Sequence, residues 1–264
     1  MLKYFIIAKN TLQVYFTYRL SFLFWRLQIV ISFLIFYYLW SAVAVGKQFL
    51  GSYTIPQIYS YFVIGYIIRA LVFTTRTGDI GGDIQTGELT SLLLKPIGII
   101  KYYFSRDLSD KLFNLVFMLV EFSLLLLFLR PQLIAPTLPD FLLFLASLLI
   151  AVVLFFFYSL IISFLTFWTE TAWSSRFLFG VVFINLFSGQ YLPLDLLPRP
   201  IFHLLNYTPF PYLYYYPVRF WLGKETGPQA LFILLISFLI LVFFYLLAHF
   251  LWVRGKLRYQ AYGN

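Results

Sequence analysis

The chain has 264 residues, 62% of them hydrophobic and 11% charged, with a formal net charge of +9 and no cysteine; its mean hydropathy is +0.87. A soluble domain runs about 45–50% apolar and about 25% charged, so a water-soluble globular enzyme is excluded, as is a disordered chain, which needs few apolar residues and many charges. The absence of cysteine excludes a disulfide scaffold, thiolate metal sites and cysteine nucleophiles, and in so apolar a chain the positive charge points to loops beside a membrane rather than to nucleic acid.

Residues 2–18 predict a helix whose polar arc carries Lys3, Lys9, Asn10, Gln13 and Thr17. Two readings fit it: a helix lying in the membrane interface with its lysines toward headgroups, or a frayed extension of the first span. Six stretches then hold the roughly 20 mostly apolar residues that a helix needs to cross the hydrocarbon core: 20–45, 56–75, 112–129, 141–167, 177–194 and 229–253. They are continuously apolar rather than alternating, which excludes barrel strands. The first is longer and farther from the N-terminus than the apolar core of a signal peptide, and is predicted to stay. With the N-terminus in the cytosol, twelve Lys and Arg residues fall in cytosolic loops and five on the opposite side; the excess predicts both termini inside. The chain reads as one helical membrane domain over 1–264, without internal repeats.

A long cytosolic loop, 76–111, separates spans two and three. Asp79, Asp83 and Glu88 come early and Lys95 late, an order that suits a helix macrodipole, and Pro96 stops the helix. Ile80, Ile84, Leu89, Leu92 and Leu93 give it an apolar side; Gly78, Gly81, Gly82 and Gly87 allow tight turns. Two readings stay open here: a docking element for a soluble partner, or an interfacial helix that covers the span ends.

Residues 188–228 are apolar yet broken by Pro193, Pro198, Pro209, Pro211 and Pro217, with a Tyr and Trp cluster that marks an interface. Irregular backbone at membrane depth survives only when buried in protein or lining water, so a partly re-entrant outer segment is predicted; the alternative is a plain aromatic anchor. Asp195 is predicted to cap the fifth span, and Glu170 and Arg176 to flank a short inner loop. Within the spans, Arg69 and Glu121 lie at depths that differ by about one turn at 1.5 Å per residue, which predicts an Arg69–Glu121 pair acting either as a structural tie or as a gate. Arg26 is predicted to snorkel inward. His203 and His249 are the only histidines. Ser188-Gly189 lacks the glycine two residues earlier that an intramembrane serine protease uses, and no helix carries paired carboxylates or a metal cluster, so no catalytic or metal site is expected.

The loop pattern Asp83-Ile84-x-x-Gly87-x-Leu89 with Leu92, Leu93 and Lys95-Pro96, and the outer pattern Ser188-Gly189, Pro193-Leu194, Leu197-Pro198, Pro209-Phe210, Tyr212, Arg219 and Gly223, together resemble the ABC-2-type transporter permeases over nearly the whole chain. The resemblance implies an all-α membrane protein: six transmembrane helices, an N-terminal interfacial helix (1–19), a cytosolic coupling helix (within 76–111) and an outer re-entrant helical hairpin between spans five and six (188–228). It implies ATPase coupling through Asp79, Ile80, Asp83, Ile84, Gly87, Glu88, Leu89 and Leu92, and an outer segment built on Gly189, Pro193, Pro198, Pro209, Tyr212 and Arg219. It also implies two separate ABC ATP-binding subunits carrying ATP and Mg, a second permease subunit (the same chain or a different one), contact with membrane lipid, a path lined by spans one, two and five, and export across the bacterial plasma (inner) membrane. No G-x-x-x-x-G-K-[ST] phosphate loop occurs, so no cofactor is expected in this chain. The family's usual acidic residue beside Gln85 is missing. The alternative is a secondary transporter or channel subunit working without an ATPase.

Overall fold

The computed structural model describes residues 2–17, 19–169 and 176–259. Helix α1 (Leu2–Thr17) precedes α2 (Arg19–Ala44), a small antiparallel hairpin of β1 (Phe49–Leu50) and β2 (Tyr53–Thr54), and α3 (Ile55–Val72). Two short helices follow, α4 (Gly78–Gln85) and α5 (Leu89–Leu93), then the long α6 (Ile99–Leu129) and α7 (Leu138–Phe164), which ends in a 3-10 turn over Leu165–Phe167. A π-helical stretch, Arg176–Val182, runs into α8 (Phe183–Phe187). Beyond it come α9 (Arg199–Asn206), α10 (Phe210–Leu213), α11 (Tyr215–Trp221) and the long α12 (Gly227–Arg258). The loop between α3 and α6 lies on one face of the bundle, the loop face; the β-hairpin and residues 188–226 lie on the opposite, far face.

Local chemistry sets these boundaries. Gln57 Oε1 accepts the Thr54 N–H at 3.0 Å and Pro56 occupies the first turn, where its missing N–H costs nothing. Thr137 caps α7 by accepting the Asp140 N–H and donating its hydroxyl to Asp140 Oδ2 at 2.6 Å. Arg130 closes α6 in the left-handed region at φ 42°.

Among the described residues five helices are long and apolar enough to cross a membrane: 20–44, 55–72, 99–129, 138–167 and 227–258. Within the most apolar 18-residue stretch of each, 61% of the residues of α3 and 44% of those of α7 are buried, which makes these two central, against 22%, 11% and 17% in α2, α6 and α12. Apolar surface left open on that scale needs a lipid solvent. Two expectations are corrected. The predicted fifth span, 177–194, breaks at Ser188, and among the described residues its apolar helix covers Phe177–Phe187, because Ser188 to Pro193 leave the helix at Gly189, φ 92°. The loop is shorter than 76–111, because α6 already starts at Ile99; Arg106, Asp107, Asp110 and Lys111 are helical residues whose charges are paired, not loop residues. Glu170 and the Arg176 side chain lie outside the described residues.

The main core is aromatic and runs from α2 and α3 through α7 to residues 210–222. The hydroxyl of Tyr214 packs directly against Gly65, where any Cβ would overlap it. Residues 210–218 and Phe220 are buried, so the irregular backbone between α9 and α12 is enclosed by protein.

Candidate docking loop and intramembrane charges

The loop folds on an apolar foundation. Ile80, Ile84, Leu89 and Leu92 are buried with Ile99, Tyr103, Phe156, Leu160, Phe164, Phe167, Ala248 and Trp252. Gly87, at φ 80°, turns the chain between α4 and α5, so one predicted helix is two. The Tyr259 hydroxyl donates to Gly87 O at 3.0 Å and lies 3.0 Å from Thr90 Oγ1, tying the corner to the end of α12. At the other end Lys3 Nζ donates to Pro96 O at 2.6 Å, and the Gly98 N–H donates to the Tyr4 hydroxyl at 3.2 Å.

Ile80, Ile84, Leu89 and Leu92, four of the residues expected to couple to an ATPase, are buried against the bundle within this chain. The surface of the loop is instead formed by Gly82, Gln85, Thr86, Glu88, Ser91, Leu93, Leu94 and Lys95, with Leu94 82% exposed. The spacing gave only part of the signal: Ile80 and Ile84, like Leu89 and Leu92, share a helix face, but Leu93 is also one turn from Leu89, so its exposure could not be read from the spacing. Asp79 accepts from Arg106 Nη2 at 2.7 Å. Asp83 accepts from the Tyr103 hydroxyl; burial raises its pKa above the ordinary carboxylate value, although the Tyr103 bond and Arg106 pull the other way. A groove of about 640 Å³ separates α1 from the loop, with Asp79, Asp83, Glu88 and Lys95 on its rim.

Charges continue along α6. Asp110 Oδ1 accepts from Arg76 Nε at 3.0 Å, and Asp107 Oδ1 from the Arg76 N–H at 3.2 Å. Lys111 Nζ lies 3.5 Å from Asp107 Oδ2 and donates to the carbonyls of Leu71 (3.0 Å), Val72 (3.4 Å) and Thr74. It thereby satisfies carbonyls that the end of α3 leaves open. Asn114 Oδ1 accepts from Arg26 Nη1 at 3.1 Å. Arg26 then grips Glu121 with both arms, Nε to Oε1 at 2.9 Å and Nη2 to Oε2, and the Tyr66 hydroxyl donates to the same Oε2.

The predicted Arg69–Glu121 pair is therefore not the one that forms. Arg26, 2% exposed, does not snorkel away; it neutralises Glu121. Depth along a helix does not fix which way a side chain points. On α3 it is Tyr66 that reaches Glu121. Among the described residues Arg69 makes no ion pair.

On the far face Arg219 organises the outer segment. Its Nε donates to Glu225 Oε1 at 2.6 Å, and its Nη1 to Asp195 Oδ2 at 2.9 Å and to the Tyr215 hydroxyl at 3.1 Å. Tyr53 and Ser52 donate to Asp195 at 3.0 and 2.8 Å. Asp195 thus sits in a 3-10 turn and ties that turn to the β-hairpin, rather than capping the fifth span. Tyr61 donates to Gly189 O at 2.7 Å, and Tyr212 to Asn206 O at 3.0 Å. Pro193, Pro198 and Pro209 each immediately precede a helical turn. Among the described residues no group of His, Asp and Glu is arranged to hold a metal.

Several apolar helices of membrane-crossing length, interrupted by a folded loop on one face, make this a multi-pass membrane protein. Residues 26–263 match the family described as ABC-2 family transporter protein, and the chain belongs to that family. It is thus a transporter's membrane component, a kind of subunit generally without an ATPase site of its own and one that associates with ABC ATP-binding partners. No curated protein and no solved structure gives a significant match.

Proposed function

We propose that this chain is the permease subunit of an ATP-driven exporter, paired with a second permease subunit and driven by two separate ATP-binding subunits at its cytosolic side. The observation that carries the reading is the two-sided loop. Its apolar side is anchored on the ends of α6, α7 and α12, so a push on its exposed side moves those helices rather than deforming the loop. Leu93, Leu94, Glu88 and Lys95 are the residues that meet the ATPase. On this reading the loop face is cytosolic, α1 lies in the interface, and ATP with Mg belongs to the partners.

The path starts at a cavity of about 800 Å³ beside the loop, lined by α2 (Phe22, Trp25), residues 73–75 after α3, α7 (Phe155, Ser159) and the π-helical segment (Phe177, Gly180). Its lining joins aromatic rings to hydroxyls and to the charged Arg76, Asp79 and Asp110, which suits an amphipathic molecule. A Cβ on Gly180 would meet nothing within 4 Å, so the π-helical turn leaves this space open; such turns recur at functional sites. Residues 188–226, with Tyr214 reaching Gly65, form the re-entrant plug above it.

The test is copurification of the chain in mild detergent, followed by ATPase assays with the ATP-binding protein that accompanies it. Glu88→Lys combined with Leu94→Asp should abolish stimulation of ATP hydrolysis while leaving the permease folded. Isolation of an active transporter with no ATP-binding protein, or unchanged stimulation in the double variant, sinks the reading.

A further inference from the structure

Arg69 is a charge in search of a partner. It lies on α3 one turn beyond Tyr66, and the Phe33 ring packs against Tyr66 with centroids 5.2 Å apart, which sets this level near the middle of α2. Three phenols lie about it: Tyr66, one turn back on α3; Tyr214, which touches both Gly65 and Phe73, four residues to either side of Arg69; and Tyr191. Among the described residues no carboxylate forms an ion pair with it. The acid at that depth, Glu121, is already held by Arg26. A cation so placed is costly unless it faces water or meets an opposite charge.

Two of those phenols are also unspent. Tyr66 donates to Glu121, but the hydroxyls of Tyr214 and Tyr191 have no hydrogen-bond partner among the described residues. Tyr214 is 2% exposed, and a buried phenol normally finds a partner for its O–H. It is held firmly: its ring stacks on Phe73 at an interplanar angle of 6°, and Gly65 gives up a side chain to admit its hydroxyl. Tyr191 is fixed by stacking on Phe36 at 4.5 Å.

We propose that Arg69, Tyr214 and Tyr191 form a binding point for an anionic group, a phosphate or a carboxylate, of the molecule that this permease moves. The proposal rests on the transport reading above and narrows its substrate class. The guanidinium offers a planar fork of N–H donors matched to such an oxyanion, and the two phenols add O–H donors from the buried segment above. The Arg26–Glu121 pair is neutral as a unit, so Arg69 leaves a net positive charge at this level.

The full chain, purified in dodecyl maltoside, is titrated with dihexanoyl phosphatidic acid and, separately, with dihexanoylglycerol, the same amphiphile without its phosphate. Wild type binds the phosphatidic acid roughly tenfold or more tightly, the loss expected from a missing charge-assisted bond. Arg69→Gln removes the preference, Arg69→Lys keeps part of it and Tyr214→Phe weakens it several-fold, while dihexanoylglycerol binds all variants alike. Thermal unfolding checks each fold; if Arg69→Gln does not fold, Arg69→Lys and Tyr214→Phe carry the test. Competition by inorganic phosphate supports a site for the free anion; its failure to compete, with the preference intact, supports an anion borne on an amphiphile. Equal affinity for the two amphiphiles in wild type, or an undiminished preference in the variants, overturns the proposal. No ATP-binding partner enters the measurement, so it can fail while copurification succeeds, and the reverse.

Discussion

Replacing Arg26 by Gln strips Glu121 of its counter-ion and leaves it with the Tyr66 hydroxyl alone. Removing one partner of a buried pair costs about 3–5 kcal/mol, because the remaining charge stays desolvated. Glu121 keeps 18% of its side-chain surface exposed, and polar bonds between helices in a membrane average only about 0.6 kcal/mol; the lower end, about 3 kcal/mol, is therefore expected, or roughly a hundredfold in the folded fraction. Glu121→Gln should cost a similar amount by leaving Arg26, which is nearly sealed, without its carboxylate. The double variant should cost no more than either single change, since neither charge then remains to be desolvated alone. The assay is reversible unfolding in mixed micelles of rising dodecyl sulfate fraction, run as a double-mutant cycle. Additive losses, or a coupling of Glu121 to Arg69 rather than to Arg26, would refute the assignment.

Gly65→Val forces Tyr214 out of its seat and should lower the thermal midpoint markedly, with partial recovery when Tyr214→Ala is added; no recovery would remove Tyr214 as the cause. Tyr259→Phe deletes the bond to Gly87 O, worth about 1 kcal/mol, and should speed protease cleavage of the loop without altering the helices' overall stability. Burial raises the folded-state pKa of Asp83, so the folded loop takes up a proton more readily than the unfolded chain. Its stability is therefore greatest below the ordinary carboxylate pKa and falls as pH rises through the folded value, then levels off. Asp83→Asn should flatten that dependence in thermal unfolding followed across the acidic range; an unchanged slope assigns it to another group.

The sequence by itself determined the class of protein and the outline of its helices. Runs of twenty apolar residues have one stable solution in a lipid solvent, and the prolines and glycines at Pro56, Pro96, Gly189 and Gly227 punctuate them at or near the observed ends. It also marked a folded loop from residue 76, because acids early and apolar residues at helical spacing are legible in one dimension, though it ran that loop to 111 where α6 already begins at Ile99. Tertiary structure decided which side of that loop is foundation and which is surface: Ile80 and Leu89 face the ends of α7 and α12, elements more than 60 residues away in the chain. It likewise decided that Glu121 belongs to Arg26. Rise per residue gives depth, but the rotation of each helix about its axis is set only by packing, here by the packing that brings Arg26 of α2 onto Glu121 of α6.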